Sequence, residues 1–302
     1  MERKKSFSRK LIRRGEEQYP RCLMDYPNMP EELYVEGELP DPGKPSVAIV
    51  GSRMCSPYGR IQAFRFARVL SEHGVQVISG LAKGIDSEAH KGALAGGTQT
   101  FAILGCGLDI PYPKGNQMLK QRILERGGGL ITEYPYGSPP IHYHFPIRNR
   151  IISGLSDLVL VVEARKKSGS LITASYALDQ GKPVYAVPGE IHADLSEGPN
   201  RLIFDGAGTA ICPEVILSEL GIACETGKTN DRENVSDYHH SSGMPSERER
   251  ILDAIGDGVK TVNQISRELS VPAGNICSEI ARMELEETVY SVGGGHYAKR
   301  KQ

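Results

Sequence analysis

The sequence predicts an α/β fold with a mostly parallel sheet, followed by a small helical domain that ends in a hairpin. Three observations carry this. From residue 46 to 187, short apolar runs that end in glycine or polar turns alternate with segments of helical spacing. Residues 222–245 then turn polar, rich in Gly, Ser, Asn and Asp, which is linker composition. From Ser246 helical spacing resumes in shorter segments.

The elements follow in order. Residues 47–50 form an apolar strand that stops at Gly51, and 58–72 carry Phe64, Ala67, Val69 and Leu70 at helical spacing. Residues 75–78 are a second strand closed by Ser79-Gly80, and 85–95 a short helix. Residues 101–104 are a third strand ending at Gly105. A helix over 116–125 and a short strand at 130–131 come next. Residues 158–162 and 184–187 are further buried strands, with a helix over 171–178 between them. In such sheets ligands bind at the carboxyl ends of the strands. Those ends here carry Gly51-Ser52-Arg53, Ser79-Gly80, Gly105-Cys106-Gly107 and Glu163.

Bulk properties bound the function. A chain of 302 residues holds one large domain or two smaller ones. The net charge of −1 makes any nucleic-acid site a local patch instead of a global field. The six cysteines form no C-x-x-C pair and fit neither a zinc site nor a disulfide scaffold. They read as reduced thiols of a cytoplasmic protein. No apolar run nears the roughly 18 residues of a membrane span, and no signal-peptide core is present. Residues 1–18 read as a basic N-terminal tail, whose first fourteen residues carry Arg3, Lys4, Lys5, Arg9, Lys10, Arg13 and Arg14 against Glu2. Such a tail is either disordered and solvated or an auxiliary arm for phosphates.

Two segments carry chemistry. Phe145, Arg148, Asn149 and Arg150 place a ring, two guanidinium groups and an amide within six residues. Ser168-Gly169-Ser170 opens a helix that contains Thr173. Rings stack bases, guanidinium groups hold phosphates and free helix N–H groups bind anions. The bland alternative is a structural hydrogen-bond hub. The Gly51-Ser52-Arg53 turn is neither a G-x-G-x-x-G fingerprint nor a P-loop. It either holds a phosphate on backbone N–H groups beside Arg53 or is a tight turn with a surface arginine, and the turn holding Gly80 and Gly84 poses the same choice. Asp86 caps a helix or pairs with His90 four residues on.

In the C-terminal domain, helices over 250–255, 262–269 and 272–285 precede a hairpin built from 288–292 and 296–298. Three helices and a hairpin match a winged helix. Its third helix offers Arg282 but also Glu279, Glu284, Glu286 and Glu287, which repel phosphates. A protein-contact or regulatory role fits it better than duplex reading. The His239-His240 pair reads as solvated, and no metal site is expected.

In order along the chain stand Tyr19-Pro20, Leu33-Tyr34-Val35-Glu36-Gly37, the 47–53 segment with Tyr58-Gly59, and the 79–86 segment with Ala89-His90. Gly107-Leu108-Asp109, Tyr112-Pro113, the 145–156 segment, Val162-Glu163-Ala164, the 168–174 segment and Val187-Pro188-Gly189 follow. This ordered set, over about residues 19–220, resembles the bacterial DprA (Smf) family of DNA-processing proteins. The resemblance implies an extended Rossmann-like domain over 19–221, a linker over 222–245 and a winged-helix-like domain over 246–302. It implies a non-enzymatic, cofactor-free homodimer that binds single-stranded DNA. Such a protein protects incoming strands and helps load the RecA recombinase during natural transformation and recombination.

By the same resemblance Gly51, Ser52 and Arg53 hold a phosphate, Phe145 stacks a base, and Arg148 and Arg150 supply charge or brace the pocket. Ser168, Gly169, Ser170 and Thr173 form a second backbone-binding turn. Gly80, Gly84, His142, Asn149 and Lys167 complete the expected DNA-binding set. Two departures stand out. Many relatives carry a helical domain ahead of Tyr-Pro, where about eighteen residues stand here. Many have lysine where this chain has His142, so binding at that edge is expected to be weaker or pH-sensitive. The competing reading is a nucleotide phosphoribohydrolase of the lysine decarboxylase-like family, but its P-G-G-x-G-T-x-x-E signature is missing: the chain has Pro188-Gly189-Glu190.

Overall fold

The computed structural model describes residues 7–223, 247–256, 259–269, 271, 273–286, 288–293 and 296–299. The chain divides into two units, residues 1–226 and 227–302.

The first unit runs β1 (Arg9–Arg13), α1 (Arg21–Met24), β2 (Glu32–Gly37), β3 (Ser46–Val50), α2 (Pro57–Glu72), β4 (Gln76–Ser79), α3 (Ile85–Gly96), β5 (Thr100–Ile103), α4 (Gln117–Glu125), β6 (Gly129–Thr132), α5 (His144–Gly154), β7 (Leu158–Val161), α6 (Gly169–Asp179), β8 (Val184–Ala186), α7 (Glu197–Phe204), β9 (Gly208–Thr209) and α8 (Pro213–Glu219). The sheet order is β1-β2-β6-β5-β4-β3-β7-β8-β9. The pairs from β6 through β9 are parallel, and β1 and β2 join antiparallel at one edge. The fold is therefore α/β with a mostly parallel sheet.

Strands β3 to β7 are buried along their whole length, because side chains leave both faces toward helices. One face packs Ala48, Val50, Val159 and Val161 with Leu23 of α1, Ile151 and Ile152 of α5, and Ala174 and Ala177 of α6. The other packs Val47, Ile49, Leu158 and Leu160 with Phe66 and Leu70 of α2, Ala89 of α3, and Leu217 of α8. In α2 the buried Ala63, Phe66, Ala67 and Leu70 recur at helical spacing. Fully buried Phe66 alone is worth about 1.5–3 kcal/mol.

Chain order decides where a site can form. The chain lays β3, β4, β5 and β6 outward in one direction, then crosses back to set β7 on the other flank of β3. Loops leaving β3 and β7 must diverge there, which opens a crevice at the carboxyl ends of those two strands.

The basic tail expected over 1–18 differs within its described part. Residues 9–13 form edge strand β1, which pairs antiparallel with β2 and buries Ile12. Its cations meet carboxylates on and beside β2: Arg9 with Glu36 at 3.1 Å, Lys10 with Glu38 at 3.7 Å, Arg13 with Glu32 at 3.2 Å and Arg14 with Glu31 at 3.9 Å. Exposed pairs of this kind each contribute little stability. Through the strand pairing residues 9–13 are held in the sheet, so this part is not a free tail.

The second unit holds α9 (Glu247–Ile255), β10 (Val259–Thr261), α10 (Val262–Leu269), α11 (Ala273–Leu285), β11 (Val289–Gly293) and β12 (His296–Lys299). Its sheet has the order β10-β12-β11, all antiparallel, so the hairpin gains a third strand. Ile251, Ile255, Ile265, Ile276, Ile280 and Met283 form a core of its own. Arg282 of α11 pairs with Glu279 at 3.6 Å, and Glu286, just past the end of that helix, pairs with Arg248 of α9. From residue 224 to 245 the expected linker, with its His239-His240 pair, lies outside the described residues.

Candidate nucleic-acid interface

A cleft of about 640 Å³ lies at the crevice between β3 and β7. Its walls are the 50–53 turn after β3, the residues around the start of α5, and the loop from β7 into α6. Gly51, Ser52, Arg53, His142, Phe145, Arg148, Asn149, Lys167, Ser168, Gly169, Ser170 and Thr173 all line it. Three expected residues do not. Gly80 lines a neighbouring cleft of about 480 Å³, which shares Arg53, Phe145 and Arg148 as a common wall. Gly84 and Arg150 line neither.

The 51–56 turn is held from below. The Ser52 N–H donates to the Glu163 carbonyl at 2.7 Å, and the Ile85 N–H donates to the Ser52 carbonyl at 3.2 Å. Gly84 has φ +80°, and a Cβ there would sit 2.3 Å from the Ser52 carbonyl oxygen. Its task is to let α3 begin directly beneath the turn. Arg53 itself is exposed.

Helix α5 explains the 145–150 segment. Phe145 is half-buried and lies against Gly105, with its ring 5.4 Å from that of Tyr112. The Arg53 guanidinium stands 5.1 Å over the Phe145 ring, a cation–π distance. Arg148, three residues on, shares the face of Phe145 but is 4 % exposed. It donates from Nη1 to the carbonyls of Gly80, at 2.9 Å, and of Ile103. Its Nε donates to Asn149 Oδ1 at 3.3 Å. Burial pulls its pKa down to about 10, with Asp86 pulling the other way. Of the two expected roles Arg148 therefore takes the bracing one: it ties α5 to the ends of β4 and β5.

Arg150 is not in the cleft. Two residues further round a helix is a turn of about 200°. Its Nη1 and Nη2 grip Glu133 at 2.7 Å each, and its Nε donates to the Asn28 carbonyl at 2.6 Å. Its guanidinium is committed to fastening α5 to the end of β6 and the 19–30 segment.

The second turn is a helix start. Ser168 is the N-cap of α6, its Oγ accepting from the Ser170 N–H at 3.4 Å and lying 2.8 Å from Ser170 Oγ. Asn149 Nδ2 donates to the Gly169 carbonyl at 3.0 Å, which joins the two helices across the cleft. The positive end of α6 thus faces the cleft beside exposed Lys167. Among the described residues neither Arg53 nor Lys167 is ion-paired. The sequence reading missed Arg165, an exposed cation of the same rim that stands 4.0 Å from Asp194. The run Arg165-Lys166-Lys167 at the carboxyl end of a central strand was the signal available.

Asp86 also lines the cleft, and it is buried. Its Oδ2 accepts from the Ala82 N–H at 3.3 Å, so it closes the preceding turn instead of capping α3. Burial pushes its carboxyl above the ordinary range, opposed by Arg148. His90 does not join it. Its Nδ1 lies 2.7 Å from Thr100 Oγ1, whose hydroxyl donates to the Val77 carbonyl. A hydroxyl that donates elsewhere must accept here, so Nδ1 carries the hydrogen. The Asp86–His90 hydrolytic pair is absent.

Glu163 does not line the cleft. Its carboxylate accepts from the Ser56 N–H at 2.9 Å and from the Ser56 hydroxyl at 2.5 Å. Among the described residues no group of three or more His, Cys, Asp and Glu side chains could hold a metal ion. No helix of the described residues is long and apolar enough to cross a membrane.

Comparison with known proteins identifies the family. The family model for DNA recombination-mediator protein A matches residues 10–221. The chain is 39% identical to protein Smf of Escherichia coli over 292 residues, 96% of this chain and 78% of that protein. It is 42% identical to DNA processing protein DprA of Streptococcus pneumoniae over 202 residues, 67% of this chain and 71% of that protein. The solved structure of the S. pneumoniae protein superposes with a TM-score of 0.66 at 39% identity, covering 71% of this chain and 75% of that one. A Helicobacter pylori DNA processing protein A, solved for its single-stranded DNA binding mode, gives 0.62 at 30% identity, covering 71% and 96%. With the matched segment holding the whole cleft, the chain belongs to the DNA recombination-mediator protein A family, the DprA (Smf) family its ordered motifs resemble.

Proposed function

We propose that this protein binds single-stranded DNA in the β3/β7 cleft and catalyses no reaction there. The carrying observation is the composition of that cleft. Unpaired Arg53 and Lys167 and the positive end of α6 suit phosphates, and the half-buried Phe145 ring suits a base. Bases of a duplex are stacked inside it and cannot reach a half-buried ring in the wall of a cleft. The H. pylori relative, studied for its single-stranded DNA binding mode, supports the reading.

On this reading the cytoplasmic protein works as a homodimer, protects incoming strands and helps load RecA during natural transformation and recombination. The second unit is a winged helix with a protein-contact role: the cations Arg248 and Arg282 are already paired within it. The phosphoribohydrolase reading is disfavoured, because the chain carries Pro188-Gly189-Glu190 where that family has its P-G-G-x-G-T-x-x-E signature. Titration of a labelled oligonucleotide, single-stranded against duplex, at two salt concentrations tests the proposal. Binding should favour the single strand and weaken with salt, with a slope of about 0.7 per phosphate neutralised. Equal or tighter duplex binding, or release of a base from a nucleotide, overturns it.

A further inference from the structure

The first turn after β3 in a nucleotide-binding α/β sheet ordinarily offers a helix N-terminus to a phosphate. Here that position is already filled by the protein itself. The Glu163 carboxylate, at the end of β7 and 3 % exposed, accepts both the N–H and the hydroxyl of Ser56, the N-cap of α2. Two glycines make room for it. A Cβ on Gly59 would lie 2.2 Å from Glu163 Oε2, and a Cβ on Gly51 would lie 2.8 Å from the Glu163 carbonyl oxygen. That carbonyl in turn receives the Ser52 N–H. One residue thus clamps both ends of the 52–56 turn, through its backbone at Ser52 and its side chain at Ser56. The residue between them that reaches the cleft rim is Arg53.

We propose that Glu163 is a positioning residue of the cleft: its carboxylate takes the amino end of α2 and so holds the turn that presents Ser52 and Arg53 to the strand. This rests on the single-strand reading above. The sign of the effect separates position from charge. A carboxylate close to an anion site repels phosphates, so neutralising it should tighten binding if charge were its whole influence. Positioning requires the opposite.

The test uses the full chain with Glu163→Ala, Arg53→Ala and the double variant, each titrated with a labelled single-stranded oligonucleotide. Alanine removes the acceptor as well as the charge, whereas glutamine would keep an acceptor for the Ser56 N–H. Glu163→Ala should weaken binding by about tenfold. In the Arg53→Ala background it should change affinity by less than about twofold, because both changes act on one contact. Binding of Glu163→Ala as tight as the parent or tighter, or equal losses in both backgrounds, overturns the proposal. Gly59→Ala provides a variant with every charge kept: it displaces the carboxylate and should weaken binding likewise. It also carries the test if Glu163→Ala does not fold. Amide hydrogen exchange without DNA is independent of the functional reading. The Ser56 amide should lose protection in Glu163→Ala while β4 and β5 keep theirs. Unchanged protection at Ser56 overturns the clamp, whereas a parent that binds no single strand overturns only the function proposed above.

Discussion

The guanidinium of Arg53 stands 5.1 Å from the centre of the Phe145 ring, across the wall between two adjacent clefts. The cation sits over the face a base would stack on, so the two side chains cannot each serve a strand independently. A base that takes that face must displace Arg53, and the displaced guanidinium is then free for a phosphate. Arg53→Ala should lower the salt dependence of single-strand binding by about 0.7 in logarithmic slope, since one phosphate contact is gone. Phe145→Ala should leave the slope nearly unchanged and cost about 1–3 kcal/mol of affinity. Isotherms at three salt concentrations decide, with a melting curve on each variant. A Phe145→Ala protein that melts far below the parent removes support for stacking.

Arg150 should behave as a structural residue. Its bidentate pair with Glu133 is largely shielded, with side chains 12% and 14% exposed. Removing one partner strands the other charge, so Arg150→Ala should cost about 2–3 kcal/mol of stability, somewhat less than for a fully buried pair. The folded fraction should keep the parent's salt slope. A variant that melts like the parent yet has lost that slope would place Arg150 on the DNA after all.

Acidification should destabilise the fold through His90. Burial, reinforced by Arg148, pulls its pKa from 6.5 to about 3, and its Nε2 has no hydrogen-bond partner among the described residues. The unfolded chain therefore takes up a proton below about pH 6.5 that the folded chain refuses until about pH 3. This contribution is fully present above pH 6.5 and falls by about 1.4 kcal/mol per pH unit beneath it. Chemical denaturation at pH 7 and pH 5 measures the drop. In His90→Gln the drop should be smaller, and an equal drop in both proteins would assign the proton elsewhere.

Removing residues 244–302 should leave most single-strand affinity in place. The cleft lies wholly in the first unit, and the second has its own core. Less than a tenfold change in dissociation constant, about 1.4 kcal/mol, is expected at matched salt. A folded fragment that has lost nearly all affinity would move the main site out of the cleft.

Gly84→Ala should damage the cleft without touching it. The positive φ disfavours any side chain, and the new Cβ would strike the Ser52 and Arg53 carbonyls. The turn must move, so single-strand affinity should fall severalfold, by about 1 kcal/mol or more. A crystal structure of the variant with the 52–54 backbone unmoved would contradict this.

The alternation of strands and helices, the parallel sheet and the loops at its carboxyl edge were legible in the sequence. These depend on local periodicity and on glycines at strand ends, which are written residue by residue. The sequence also placed Arg53, Phe145 and the 168–170 turn among the candidates, because cations beside rings and helix starts have a chemistry legible without coordinates, whereas Lys167 entered only through the family resemblance. Only the tertiary structure separated Arg148 from Arg150. Read as a run of letters they are equivalent, but a helix sends them about 200° apart, one under the cleft and one to Glu133. Nor could the sequence show that the cations of β1 are cancelled across a strand pair, or that Glu163 holds Ser56 from 107 residues away. Those outcomes depend on which segments the strand order brings together, and register and crossover are long-range choices that no local pattern encodes.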